Sequence, residues 1–241
     1  MIERPSPNHD ARPAGKTTDL VILHYTGMRD AESALRRLAD PVAKVSSHYL
    51  IDEQGVVYRL VDESRRAWHA GVSYWGGERD VNGVSIGIEL ANPGHDFGYR
   101  PFPQAQMTAL VELCHGILAR HPIPRARIIG HSDVAPRRKI DPGELFDWRA
   151  LAAAGFGLWP EPLEEPADPA TALKALARIG YEIGPAEADE ITRAAIAAFQ
   201  RHFRPRRIDG EIDSETGKLI YGLARALKEA SGQPKQLREW T

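Results

Sequence analysis

The sequence predicts an α/β domain, a mixed and partly parallel β-sheet flanked by helices, followed by a small three-helix domain. Before residue 159, short runs rich in β-branched and aromatic residues alternate with runs of helical spacing, as expected of strands joined by helices. After residue 169 apolar residues recur at helical intervals instead. Between the two, residues 159–169 (WPEPLEEPADP) carry four prolines and four acidic residues in eleven, a composition that stiffens the backbone and packs poorly. The expected organisation is therefore a domain over 1–159, a Pro-rich linker over 160–169 and a helical domain over 170–241.

Taken in order, strands are expected at 19–25 (DLVILHY), 46–52 (SSHYLID), 55–61 (GVVYRLV), 84–91 (VSIGIELA) and 127–130, each a β-rich run of strand length. Helical spacing fills 30–39 and 104–120. Beyond the linker, helices are expected at 170–179, 187–203 and 214–228, separated by GYEIG at 180–184 and IDGEID at 208–213. Phe199 and Phe203 lie one helical turn apart and belong to a core.

Composition narrows the class. With 42% apolar and 27% charged residues in 241, the chain has the makings of a buried core and is neither disordered nor collagen-like. Lys plus Arg number 31 against 33 Asp plus Glu, a formal charge of −2, which argues against a nucleic-acid partner held by bulk electrostatics. Cys114 is the single cysteine, so no intramolecular disulfide or multi-cysteine zinc site can form, and this residue of an amphipathic helix is expected in the core. Residues 1–19 are polar, with Pro5, Pro7, Pro13 and Gly15, and nowhere do 18 apolar residues run together. No secretory leader or transmembrane segment is thus expected. The expected compartment is the cytoplasm, with the periplasm or envelope as the alternative if a leader precedes this sequence in the cell. Nothing in the sequence specifies an oligomer.

Any metal must be held by His and carboxylate. His24 ends the apolar strand of LVILHYTG, and His131 ends IIGH in the same manner; strand ends are where α/β proteins build sites. Asp141, ten residues on and followed by Pro142-Gly143, sits in a loop. Two histidines and a loop carboxylate would make a three-ligand face of the kind catalytic zinc uses. Either histidine alone also fits a hydrogen-bonded structural role, and Asp before Pro-Gly fits an Asx-turn. Glu89 interrupts the apolar strand SIGIEL, where a carboxylate must face a polar cleft as a general base or pair with an arginine. Lys139 would point to the side of Asp141 if that stretch is extended, as an oxyanion-stabilising ammonium or as a solvated member of the basic run RRK.

These residues sit in a larger pattern: LVILHYTG (20–27), SHYLIDEQGVVYRLV (47–61), RAWHAG (66–71), SIGIELAN (85–92), IIGHSDVAPRRKIDPG (128–143) and FDW (146–148). The pattern resembles the type-2 zinc-dependent N-acetylmuramoyl-L-alanine amidases over most of residues 18–150. The resemblance implies one Zn2+ per chain on His24, His131 and Asp141, with Glu89 and Lys139 catalytic. It implies substrate contacts for His69 and Asn92, with a hydrogen-bonded structural role as the alternative for His69; His48, within a strand, is expected to be structural. Some relatives carry Cys at the third ligand position, where this chain has Asp141. The C-terminal segment resembles the helical peptidoglycan-binding module, through IGY (179–181), AAFQRHF (197–203), Asp209-Gly210 and DSET (213–216).

The function implied is hydrolysis of the amide between N-acetylmuramic acid, or its 1,6-anhydro form, and L-alanine of stem peptides, in cell-wall turnover or recycling. Peptidoglycan fragments or murein are the implied partners. Two alternatives share the scaffold: a non-catalytic peptidoglycan sensor and a zinc peptidase acting within the stem peptide. Since every candidate ligand precedes the linker, the C-terminal unit is expected to add binding surface and no part of the chemical site, the alternative being that it packs on the catalytic domain.

Overall fold

The structure, a computed structural model, describes residues 1–163, 168–186 and 189–230. Residues 164–167 of the expected linker, 187–188 of an expected helix and 231–241 lie outside the described residues. The chain runs β1 (Ile2–Glu3), β2 (His9–Ala11), β3 (Leu20–Tyr25), α1 (Ala31–Ala39), β4 (Tyr49–Ile51), β5 (Val57–Arg59), β6 (Arg65–Ala67), α2 (Val81–Val84), β7 (Ser85–Leu90), α3 (Gly94–Phe97) and α4 (Gln104–Arg120). It continues through β8 (Ile128–Gly130), α5 (His131–Val134), α6 (Trp148–Ala153), α7 (Pro169–Ile179), α8 (Glu190–Phe203) and α9 (Ser214–Ala230).

Six strands form one mixed sheet in the order β1-β5-β4-β7-β3-β8. Only the β4–β5 pair is antiparallel. β2 and β6 make a separate antiparallel pair. The strand expected over 46–52 is regular only at Tyr49–Ile51: the Ser46 N–H leaves the sheet for the Trp68 carbonyl, while the His48 N–H still donates to the carbonyl of Gly87 on β7. Helices α1, α7 and α8 begin on acidic caps. Asp30, Asp168 and Asp189 accept the N–H of Ser33, Thr171 and Thr192, satisfying donors that the first helical turn leaves open. Among the described residues, no helix is long and apolar enough to cross a membrane.

Strand alternation divides the core. Val21, Leu23, Ile86, Ile88 and Leu90 pack against α4 through Leu110, Leu113, Cys114 and Ile117, with Cys114 fully buried and unpaired. On the other face α1 covers Leu50 and Leu60, while Leu20, Ile22, Ile129 and Val134 join one cluster with Ala172, Leu176, Tyr181, Phe199 and Leu223. The C-terminal helices are therefore docked on the sheet. Even the first linker residues lie against them: the Leu163 N–H donates to the Lys218 carbonyl, 3.3 Å away. The physical reason is in LVIL: a strand apolar on both faces needs two covers, and α4 supplies one.

His48 packs with no exposure. Its Nδ1 accepts the Gly87 N–H at 3.0 Å, so Nε2 carries the hydrogen and donates to the Arg65 carbonyl at 3.1 Å. Burial, then the nearby Arg12 guanidinium, pushes its pKa from 6.5 down to about 3. The unfolded chain therefore binds this proton first. Stability is full above the ordinary histidine pKa and falls as pH drops toward about 3, by about 1.4 kcal/mol per pH unit for this group alone. His48→Asn, which keeps an acceptor for Gly87, is expected to remove one proton's worth of that slope. Denaturant unfolding at a series of pH values measures it; an unchanged slope would contradict the assignment.

Candidate active site

The parallel strands β3, β7 and β8 end at one edge of the sheet, where open α/β sheets form ligand crevices. His24 and Glu89 are register partners on β3 and β7, and His131 opens α5 immediately after β8. The loop carrying Asp141 is tied to that turn: the Ser132 N–H donates to the Asp141 carbonyl at 2.9 Å. A side chain at Gly130 would press against Pro142, its Cβ 2.8 Å from the ring Cδ. The structure thus brings together the three residues expected to hold metal, all buried, with ligand atoms within 4.8 Å of one another.

The hydrogen bonds around these atoms define what they lack. The Ser85 hydroxyl donates to the Val81 carbonyl at 2.6 Å, so its oxygen accepts from His69 Nε2 at 3.2 Å. His69 Nδ1 is then an acceptor, and it faces His24 Nε2 at 3.0 Å, which must carry the hydrogen. His131 Nε2 donates to the Ala70 carbonyl at 3.1 Å. In neutral imidazoles both Nδ1 atoms are left as bare lone pairs. They face each other at 2.9 Å, each 3.1 Å from Asp141 Oδ2. Burial, followed by the proximity of His131, pushes His24 down to about 4, which keeps it neutral near pH 7. Three acceptors converge without a donor between them, and a cation is what satisfies such a set. Two imidazoles and a carboxylate suit zinc.

Glu89 lines the same cleft. Its Oε2 is buried without a hydrogen-bond partner among the described residues. Burial, then the negative charge of Asp141, raises its pKa well above the carboxylate range, against the opposing pull of Lys139. Lys139 and Arg138 also line the cleft. Arg138 is fixed by its guanidinium donating to the Ala70 carbonyl at 2.9 Å and to that of Val72. One rim is aromatic, with Tyr25 Oη 3.0 Å from His95 Nδ1 and the His95 ring stacked on Tyr99 at 4.3 Å. The cleft encloses about 470 Å3, within the usual range for small-molecule sites.

Of the two expected substrate contacts, His69 is at the cleft but commits both ring nitrogens to His24 and Ser85, an orienting geometry. Asn92 is 2% exposed and absent from the cleft lining; its amide donates to the Arg100 carbonyl at 2.7 Å and accepts the Gly94 N–H at 3.0 Å. The geometry gives it a loop-folding role. Sequence reasoning missed Ser85, Gly87 and the Ala70 carbonyl. Gly87 carried a signal, since glycine inside a strand often marks close approach by another group. Here the group is the His69 ring, whose Cγ would lie 2.5 Å from a Cβ at position 87.

The family model described as N-acetylmuramoyl-L-alanine amidase matches residues 14–144, and that of a peptidoglycan binding domain matches 166–220. The chain belongs to the N-acetylmuramoyl-L-alanine amidases. It is 39% identical to the amidase AmiD of Escherichia coli over 92% of this chain and 87% of that one. A solved complex of E. coli AmiD with the substrate anhydro-N-acetylmuramic acid-L-Ala-D-gamma-Glu-L-Lys superposes with a TM-score of 0.78 at 38% identity, covering 92% of this chain and 93% of that one. Pseudomonas aeruginosa AmpDH3 in complex with anhydromuramic pentapeptide gives a TM-score of 0.79 at 33% identity, covering 89% and 94%. The 1,6-anhydro-N-acetylmuramyl-L-alanine amidase AmpD of Haemophilus influenzae is 35% identical over 59% of this chain and 85% of its own.

Gly87→Ala is expected to push the His69 ring away from His24 and lower zinc affinity about 10- to 100-fold, the cost of losing a partner that orients a ligand. Chelator competition on the purified variant measures this. Wild-type affinity would mean that His69 does not orient the ligand.

Proposed function

We propose that this chain is a zinc-dependent hydrolase that cleaves the amide between N-acetylmuramic acid, in its ordinary or 1,6-anhydro form, and L-alanine of peptidoglycan stem peptides, in cell-wall turnover or recycling. One observation carries the reading: a donor-free cluster of His24, His131 and Asp141 opens onto a cleft shared with an unpartnered, register-paired Glu89. The substrates printed for AmiD and AmpDH3 support the choice of bond.

The residues divide the work as follows. His24 and His131, through Nδ1, and Asp141, through a carboxylate oxygen, would hold the zinc. When bound, zinc lowers the pKa of water toward 7 and polarises the amide carbonyl. Glu89 accepts the proton of the attacking water and returns it to the leaving L-alanine nitrogen, so that an amine departs in place of an amide anion. Burial and the nearby Asp141 raise its pKa, which favours holding the proton between the two transfers. Lys139, without an ion pair among the described residues and facing the same cleft, places an ammonium near the developing oxyanion. The C-terminal unit, matched by a peptidoglycan-binding family, adds affinity for the polymer by raising local enzyme concentration.

Protein purified without chelator is expected to hold one zinc per chain by elemental analysis. His24→Ala should lose both metal and activity. Glu89→Gln should keep zinc while kcat falls about 100- to 10,000-fold, as for loss of a general base, and Lys139→Ala should lower it about 100-fold or more. Mass spectrometry of digested soluble muropeptides decides the bond. Release of intact stem peptide beginning with L-alanine is expected, and shortened stem peptides still attached to the sugar would overturn the amidase reading in favour of a peptidase.

A further inference from the structure

His131 sits in α5, a helix of only four residues. A turn so short holds itself weakly; its own backbone contributes the bond from the Ala135 N–H to the His131 carbonyl. The clasp that closes it is Asp133. One oxygen, Oδ2, accepts the Gly130 N–H at 2.8 Å, so the side chain spans the turn from the residue before the ligand to the second residue after it. Asp133 is 1% exposed, and a carboxylate so deep needs a full set of donors.

The remaining donors come from beyond the linker. Tyr181 donates its hydroxyl hydrogen to Oδ1 at 2.7 Å, and His202 Nδ1 donates to Oδ2 at 2.8 Å. Both donors are themselves held. The His202 ring stacks between Trp148 at 3.7 Å and Phe203 at 3.8 Å. Tyr181 packs edge-on against Trp75 at 5.0 Å, and follows Gly180, whose φ of 139° and closeness to the Trp75 ring exclude any other side chain. The carboxylate two residues from a metal ligand is therefore completed by two side chains of the C-terminal unit.

We propose that Asp133 is a positioning residue for His131, and that Tyr181 and His202 hold it, so that docking of the C-terminal unit sets the geometry of the metal centre. The inference rests on the metal reading proposed above. It gives that unit a second role: besides its surface toward peptidoglycan, it supplies the outer support of a ligand. On this proposal the C-terminal unit, expected to stay separate from the chemical site, contributes to it from outside. Supporting groups of this kind fix a ligand's orientation, and a lapse of a fraction of an ångström is enough to weaken a site.

The test uses the full chain. Tyr181→Phe removes one hydrogen bond at constant shape; His202→Leu removes the other; His202→Asn keeps a donor where Nδ1 stood. Zinc dissociation constants are measured by chelator competition, the visible spectrum of the cobalt-substituted protein reports ligand geometry, and melting of the metal-free protein reports stability separately. Tyr181→Phe and His202→Leu are expected to weaken zinc binding about 10-fold or more and to shift the cobalt bands, while His202→Asn stays within about threefold of wild type. On soluble muropeptide the first two should lower kcat with little change in KM. Wild-type zinc affinity and cobalt spectrum in both variants, with only the melting temperature lowered, would overturn the proposal and leave Asp133 as interdomain glue. Absence of stoichiometric zinc in the wild-type protein would instead overturn the metal reading, and this inference with it.

Discussion

Two bare imidazole nitrogens and a carboxylate oxygen held about 3 Å apart in a buried place repel one another unless a cation joins them. The architecture around the cleft follows from maintaining that arrangement. Each histidine gives its other nitrogen to a fixed acceptor: His69, itself fixed by Ser85, and the Ala70 carbonyl. β7 serves the arrangement along one face, because Ser85 holds His69, Gly87 leaves room for its ring and Glu89 faces the cleft. The period of two in a strand puts these three positions on the same side.

The same alternation decides where the cleft lies. On β3, Val21 and Leu23 face α4 while Leu20 and Ile22 face the C-terminal helices, and His24 continues the second series beyond the last apolar position. That face is covered by α1 at one side of the sheet and by the C-terminal unit at the other. The site occupies the carboxyl edge between them. The docked unit therefore walls the sheet and, through Asp133, reaches the turn that carries His131.

Much of this was legible in the sequence. The apolar runs mark β3, β7 and β8 as strands of a partly parallel sheet, although their parallel pairing is seen only in the register, and His24, Glu89 and His131 stand out as the polar residues that end or interrupt them. The long helices α1 and α4 follow from spacing. What was not legible depended on contacts between distant segments. Nothing local to residue 69 says whether its ring meets substrate or His24; Ser85 and Gly87 decide that. Asn92 looks the same in sequence whether it faces a ligand or folds its own loop. Prolines and acids at 159–169 describe a stiff, poorly packing stretch but say nothing of the face the following helices seek, and the link from Tyr181 and His202 to Asp133 spans 48 and 69 residues.

On the proposed reading, His24 Nδ1, His131 Nδ1 and Asp141 share one metal ion. Anomalous scattering at the zinc absorption edge from crystals of the full chain tests it most directly. One strong peak is expected with these three atoms at about 2.0 to 2.2 Å, as zinc with nitrogen and oxygen ligands requires, and a fourth position open to the cleft. A peak elsewhere, or ligation through Nε2 with the contact between His24 and His69 broken, would contradict it.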